Sequence, residues 1–209
     1  VKAFVDEGLG NSSYLLASET AGVAAVVDPQ RDIDRYLQVA EGLGLKLEYV
    51  LETHLHADFI SGGREATAQV GSVLAVSAGA ALEFEHLPLK PGQTLELGDL
   101  RIAVLATPGH TPEHLSYTVT NGTENHPGVV FSGGALIVGG AARTDLLHHD
   151  LTEPLARQLF HSIQDTLLAL PDDTTVYPTH GAGSFCSAPV SDARVTTIGQ
   201  ERRQNRLAR

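Results

Sequence analysis

The chain has 209 residues, 42% hydrophobic and 19% charged, the balance of one globular domain long enough to bury a full core. A net charge of −11 opposes phosphate backbones and anionic membranes, so nucleic acid and lipid are not expected partners, whereas small molecules and proteins are. The single cysteine, Cys186, excludes an internal disulfide and any CxxC zinc cluster, and the ten histidines turn attention to a metal site built from His, Asp or Glu.

The opening VKAFVDEGLGNSSY lacks the basic start and apolar stretch of a secretory leader, and no apolar run approaches the roughly 18 residues of a membrane span. A cytoplasmic location is the expectation. Strand-like stretches follow at Ser13–Ala17 and Val23–Asp28, then a helix over Asp32–Gly42 with Asp32 as N-cap. Another strand, Leu47–Glu52, precedes a helix over Gly62–Gly71. Strands are then expected at Val73–Val76, Leu100–Ala106, Leu115–Val119 and Val129–Phe131, separated by Gly, Pro and Asn. The longest helix is placed at Glu153–Leu170 with Thr152 as N-cap. Its Leu155, Leu159, Ile163 and Leu167 fall four apart and form one apolar stripe for packing on a sheet. Strands with helices inserted between them imply a layered αβ architecture. Residues 1–195 are read as one domain. From Ala188 the chain turns polar and closes on ERRQNRLAR, a basic, amphipathic stretch open to a short helix or a linker, so residues 196–209 are read as a C-terminal tail or linker.

Three histidine segments follow strands. In Thr53-His54-Leu55-His56-Ala57-Asp58-Phe59, residues two apart point the same way in extended chain, so His54, His56 and Asp58 can converge on one ion. Neutral imidazoles suit zinc or iron(II), and Asp58 can ligate or orient a ring through its other nitrogen. In Ala106-Thr107-Pro108-Gly109-His110-Thr111-Pro112-Glu113-His114, two prolines and a glycine fix His110 at a strand terminus as a third ligand, while His114 reads as a packed histidine outside the metal shell. In Tyr177-Pro178-Thr179-His180-Gly181-Ala182-Gly183 a further histidine ends a β-rich run. Cys186, beyond those glycines, is either a small buried hydrophobe or a thiol that carries sulfane sulfur at the site mouth. His148 and His149 read as part of a solvated turn, and Arg143 with Asp145 as a structural ion pair.

These segments together resemble the metallo-β-lactamase superfamily, in which T-H-x-H-x-D, a T-P-G-H-T turn and a Y-P-x-H-G segment supply the metal site. The resemblance covers residues 11–183. THLHADFISG, ATPGHTPEHLSY, YPTHGAGSFC and TTIGQERRQN are similar to its persulfide dioxygenase branch, especially members fused to rhodanese domains, with glyoxalase II the nearest relative. It implies an αββα sandwich, one divalent ion, Fe(II) or Zn(II), and a low-molecular-weight thiol or persulfide substrate of the glutathione type. It also implies a rhodanese partner or fused domain. Phe59 stands where glyoxalases place another histidine, which implies a mononuclear site.

One position departs from the family. Where an F-[ST]-G-D segment supplies a metal carboxylate, this chain has Phe131-Ser132-Gly133-Gly134, and no Asp or Glu lies between Phe131 and Ala142. Three outcomes stay open at this point. His54, His56 and His110 form a three-histidine site that activates water for thioester hydrolysis, with Asp58 and His180 assisting the chemistry. Alternatively, iron binds in the same shell, or Asp58 swings in to replace the carboxylate, and persulfide oxidation persists in weakened form. In the third, the fold serves only as a binding module.

Overall fold

The computed structural model describes residues 1–187 and 191–208, so the start of the polar stretch at 188–190, and Arg209, lie outside the described residues. Its first sheet contains β1 (Lys2–Asp6), β2 (Asn11–Ser18), β3 (Val23–Val27), β4 (Lys46–Leu51), β5 (Val73–Ser77) and β6 (Leu87–Leu89) in sequential spatial order. The β1/β2 and β2/β3 pairs are antiparallel, and from β3 to β6 the pairing is parallel. The second sheet contains β7 (Thr94–Leu97), β8 (Leu100–Ala106), β9 (Leu115–Asn121), β10 (Val129–Gly133), β11 (Thr175–Pro178) and β12 (Thr196–Thr197), again in order.

Alternation along the strands separates three cores. On β2, Tyr14 and Leu16 face a cluster shared with Val27, Leu51, Ile102, Tyr117 and Phe131, which is the contact between the two sheets. Leu15 faces the opposite way, into a cluster with Ile33, Tyr36 and Ala66 under α1 (Asp34–Gly42) and α2 (Gly63–Val70). On the second sheet, Val130 and Val176 turn outward to meet Leu159 and Ile163 of the segment running through α3 (His149–His161). Helices therefore cover both outer faces of two packed sheets, the αββα sandwich.

The seven expected strands and three expected helices are all present, with shifted ends. α1 begins two residues after Asp32, with Ile33 at the cap position and no side-chain cap. α3 begins before Thr152, because the side chain of His148 accepts from Asp150 N–H and starts the helix there. It continues as a π-helical turn over Ser162–Leu167, and Leu155, Leu159, Ile163 and Leu167 are all buried, as the stripe requires. Arg143 and Asp145 do pair, at 2.6 Å.

Residues 196–208 take the short-helix alternative and pack against the second sheet, not as a linker. Thr196 and Thr197 pair with β11, and α4 (Ile198–Gln204) packs Ile198 at 0% exposure against Val176 and Leu167. Buried Glu201 accepts from Gly139 N–H and from Asn205 Nδ2. The stretch is polar because its buried groups satisfy one another, a pairing that hydropathy along the sequence does not display. Ile198→Ala is expected to cost about 2–5 kcal/mol in urea unfolding, as for other buried aliphatic truncations; a linker position would leave the midpoint unmoved.

Candidate metal centre

The topology brings the histidine segments to one rim. β10 and β11 are parallel, and β8 runs in the same direction as β10 because both are antiparallel to β9. The ends of β8, β10 and β11 therefore meet. The first sheet joins them through Leu115 N–H donating to Thr53 O at 2.8 Å and Ser12 N–H donating to Thr179 O at 2.8 Å. The turn carrying His110 is clamped by α3: Gly109 has φ +141°, and a Cβ there would lie 2.3 Å from Leu159 Cβ, so no side chain fits. Ser162 Oγ donates to Pro108 O at 2.7 Å and fixes the same turn.

His54, His110 and His180 are buried, with ligand nitrogens all within 4.8 Å of one another. Their neighbours settle the tautomers. Thr53 Oγ1 donates to Asp28 Oδ2 (2.7 Å) and so accepts from His54 Nδ1–H (2.8 Å). His110 Nδ1–H donates to Arg143 O at 2.6 Å. Asn11 spends its Nδ2 on Asp58 (2.7 Å), leaving its Oδ1 to accept from His180 Nδ1–H at 3.1 Å. Each ring is thereby left with a bare Nε2 lone pair. His110 Nε2 is buried without a hydrogen-bond partner, and the Nε2 atoms of His54 and His180 face each other at 3.2 Å. Converging lone pairs repel unless a cation sits among them, and an imidazole oriented by a bond at its other nitrogen is the usual arrangement of a metal ligand. These residues fit a divalent ion. Burial, and the mutual repulsion of the neighbouring rings, hold His54 and His180 well below the ordinary imidazole range, and burial lowers His110. All three are therefore neutral, as ligation requires.

His180, expected to assist catalysis, lies in this group with His54 and His110, while His56 falls in two others, with Asp28 and His54 and with Asp58 and His180. His56 Nε2 instead lies 3.2 Å from Asp28 Oδ1 and 3.4 Å from Glu52 Oε2, although its nitrogens also fall within 4.8 Å of ligand atoms of His54 and His180. Burial opposes charge on this ring, but the two carboxylates outweigh it and raise His56 to about 10. Asp28 is fully buried, yet His56 and its hydrogen bonds keep its carboxyl below the ordinary range, whereas burial pushes Glu52 up. Asp28 also accepts from Thr53 N–H (2.7 Å), Thr53 Oγ1 and Thr179 Oγ1, tying β3, β4 and β11 together at the site. It adopts φ +49°, uncommon for a residue with a side chain. Asp28, Glu52 and Asn11 are site residues that the motif reading missed. The available signal was that Asp28 and Glu52 end strands at the same rim as the histidines.

Asp58 stands behind the triad. Its Oδ2 lies 3.6 Å from His180 Nδ1, on the side away from the bare Nε2, so it orients that ring. Cys186 is 1% exposed, and burial together with the nearby Asp58 charge pushes its thiol up to about 12. A thiol in that state is a weak nucleophile, which matches the buried-hydrophobe alternative. His114 is outside the triad, as expected, though in the interior: its Nε2 accepts from Gly134 N–H (3.0 Å), its Nδ1 faces Thr107 Oγ1 (2.9 Å), and burial lowers it to about 3.

At Gly134 an added Cβ would lie 2.5 Å from His110 Cδ2 and 3.1 Å from Ala142 Cβ. The His110 ring, pinned by Arg143 O, fills that space. Gly134→Asp is therefore expected to displace His110 and destabilise the fold by about 1–3 kcal/mol, as overpacking does. Thermal unfolding with and without added metal checks this; a more stable variant with tighter metal binding would show that His110 yields freely.

Comparison with known proteins agrees with this geometry. Residues 6–180 match the family described as the metallo-beta-lactamase superfamily. The human mitochondrial persulfide dioxygenase ETHE1 is 30% identical over 186 residues, covering 87% of this chain and 68% of that protein. The cytoplasmic hydroxyacylglutathione hydrolase of Arabidopsis thaliana is 38% identical over 173 residues, covering 81% and 63%. Among solved structures, a metallo-beta-lactamase from Staphylococcus aureus superposes with a TM-score of 0.92 at 32% identity, covering 99% of this chain and 63% of that one. Both named curated relatives are enzymes. With its αββα sandwich and its histidines gathered at one rim, the chain belongs to the metallo-beta-lactamase superfamily.

Proposed function

We propose that the protein is a persulfide dioxygenase-like enzyme with one divalent ion held by His54, His110 and His180. In the reaction a low-molecular-weight persulfide, oxygen and water give the thiol, sulfite and two protons, with glutathione persulfide the first substrate to test. The observation that carries this reading is Phe59. It stacks on His56 with ring centroids 4.2 Å apart, at the position where the hydrolase pattern has a further histidine, and His56 Nε2 lies 3.2 Å from Asp28 and 3.4 Å from Glu52. That arrangement favours one ion over two. Bound iron(II) would supply redox chemistry at its open positions.

The chain's own residues supply orientation. Thr53, Arg143 O and Asn11 fix the three rings, and Asp58 with Asn11 holds His180. The setting proposed is the cytoplasm, with a rhodanese partner or fused domain to supply or consume sulfane sulfur. Among the described residues no helix is long and apolar enough to cross a membrane.

A second reading, zinc-dependent thioester hydrolysis, is favoured by the same triad, since three neutral imidazoles with open positions are a common catalytic zinc arrangement. Elemental analysis of protein purified without chelator, followed by oxygen uptake with glutathione persulfide and thioester cleavage without oxygen, separates the two. Iron with oxygen uptake is the expected result. Zinc with thioester cleavage would replace the first reading by the second, and absence of metal uptake would leave a binding module.

A further inference from the structure

The loop that follows His180 turns back on its own histidine. Gly181 O accepts from Ser184 N–H at 3.1 Å and from Ser187 Oγ at 2.6 Å, which closes residues 181–187 into a compact turn. Gly10 supplies its seat. Gly181 N–H donates to Gly10 O at 3.0 Å, and a Cβ on Gly10, which has φ +67°, would overlap Ser184 N and Gly183 C. The turn is thereby pressed against the start of β2, where Asn11 stands.

Ser184 is buried, and its Oγ lies 3.2 Å from His180 Nδ1. That nitrogen carries the proton donated to Asn11 Oδ1 at 3.1 Å, so Ser184 Oγ is a second acceptor for it, and the two acceptors come from β2 and from the loop after β11. The same Oγ accepts from Cys186 N–H at 3.2 Å, which uses its remaining lone pair. Cys186 O in turn accepts from Arg143 N–H at 2.8 Å, and Arg143 O is the acceptor of His110 Nδ1–H. One run of contacts therefore leads from the outer nitrogen of His180 through Ser184, Cys186 and Arg143 to the outer nitrogen of His110. A single outer bond aims one ring, whereas a shared run sets two rings against each other.

We propose that Ser184 is a positioning residue that sets the His180 ring against the His110 ring through the backbone of Cys186. The two ring centroids lie 5.1 Å apart with their planes at 73°. Cys186 takes part by its peptide groups, and its thiol has no share in the brace. The consequence for metal binding rests on the metal-centre reading above, while the ring geometry is a property of the metal-free chain and can be measured separately. Loss of an outer partner weakens a ligand histidine by about 10–100-fold in metal affinity, and since Asn11 stays in place the lower end, about tenfold, is expected on removal of the Ser184 hydroxyl.

The test compares Ser184→Ala with Ser187→Ala, which removes the bond to Gly181 O in the same turn. In the metal-free proteins, nitrogen NMR of the imidazole rings is expected to show the Nδ1 resonances of both His180 and His110 displaced in Ser184→Ala and in their wild-type positions in Ser187→Ala. Chelator competition with zinc is expected to show about tenfold weaker binding in Ser184→Ala and wild-type affinity in Ser187→Ala. Thermal unfolding confirms that both variants fold. Ser184→Cys, which keeps the shape and exchanges the oxygen for a weak acceptor, is expected to displace the same two resonances and serves if the alanine variant does not fold. Resonances that stay in place, a displacement confined to His180, or equal displacements in the Ser184 and Ser187 variants overturn the proposal. Displacement of both resonances with unchanged zinc affinity would leave the brace standing and sink the centre made of His54, His110 and His180.

Discussion

His180→Ala is expected to strip the protein of its metal, while His56→Ala keeps a stoichiometric ion. The reasoning is geometric. The His54, His110 and His180 Nε2 atoms are left bare by partners at the opposite ring nitrogens, whereas His56 Nε2 is turned to Asp28 and Glu52. Loss of a hydrogen-bonding partner to a ligand already costs about 10–100-fold in metal affinity, and loss of the ligand itself should exceed that. Competition with a chromogenic chelator measures both variants, with His54→Ala as the control that must lose metal. If His56→Ala loses the ion and His180→Ala retains it, the centre is the set His54, His56 and His110.

Asp28→Ala is expected to lower stability by about 3–5 kcal/mol, because it leaves a buried, charged His56 facing only Glu52. It also frees Thr53 N–H, Thr53 Oγ1 and Thr179 Oγ1, all of which donate to this carboxylate. Those donors sit on segments of both sheets, so the loss acts on the joint between them and not on one loop. Chemical denaturation at neutral pH provides the measurement. Asp28→Asn, which keeps the shape and an acceptor but not the charge, should fall between the wild type and Asp28→Ala. A change below about 1 kcal/mol in the alanine variant would mean that His56 sheds its proton and the cluster relaxes without cost.

The strands were legible because their apolar residues alternate or run continuously between glycines and prolines, a local signal. α3 was legible because Leu155, Leu159, Ile163 and Leu167 recur at helical spacing. Its start was not, since His148 caps it through a side-chain contact that no propensity records. The short strands β1, β6, β7 and β12 carry too few apolar residues to stand out, and they are held by pairing with neighbours far along the chain or by a neighbouring turn.

At the site, residue type and spacing in the sequence were enough to single out His54, His110 and His180 as strand-end histidines and to set His114 aside. Ligand assignment was another matter. The i, i+2 rule places His54 and His56 on one side only while the chain stays extended, and after Leu51 it leaves the strand. Which way each ring turns depends on groups carried by other strands. Asp28 and Glu52 lie beside His56 Nε2, and Asn11 with Asp58 flanks His180 Nδ1. The emptied position at Gly134 was visible as a missing aspartate, but only the folded chain shows the His110 ring in that space. Composition and periodicity act through neighbours in sequence and so determine elements and layers. Protonation and ring orientation depend on groups brought together from distant strands, and these the tertiary structure alone decided.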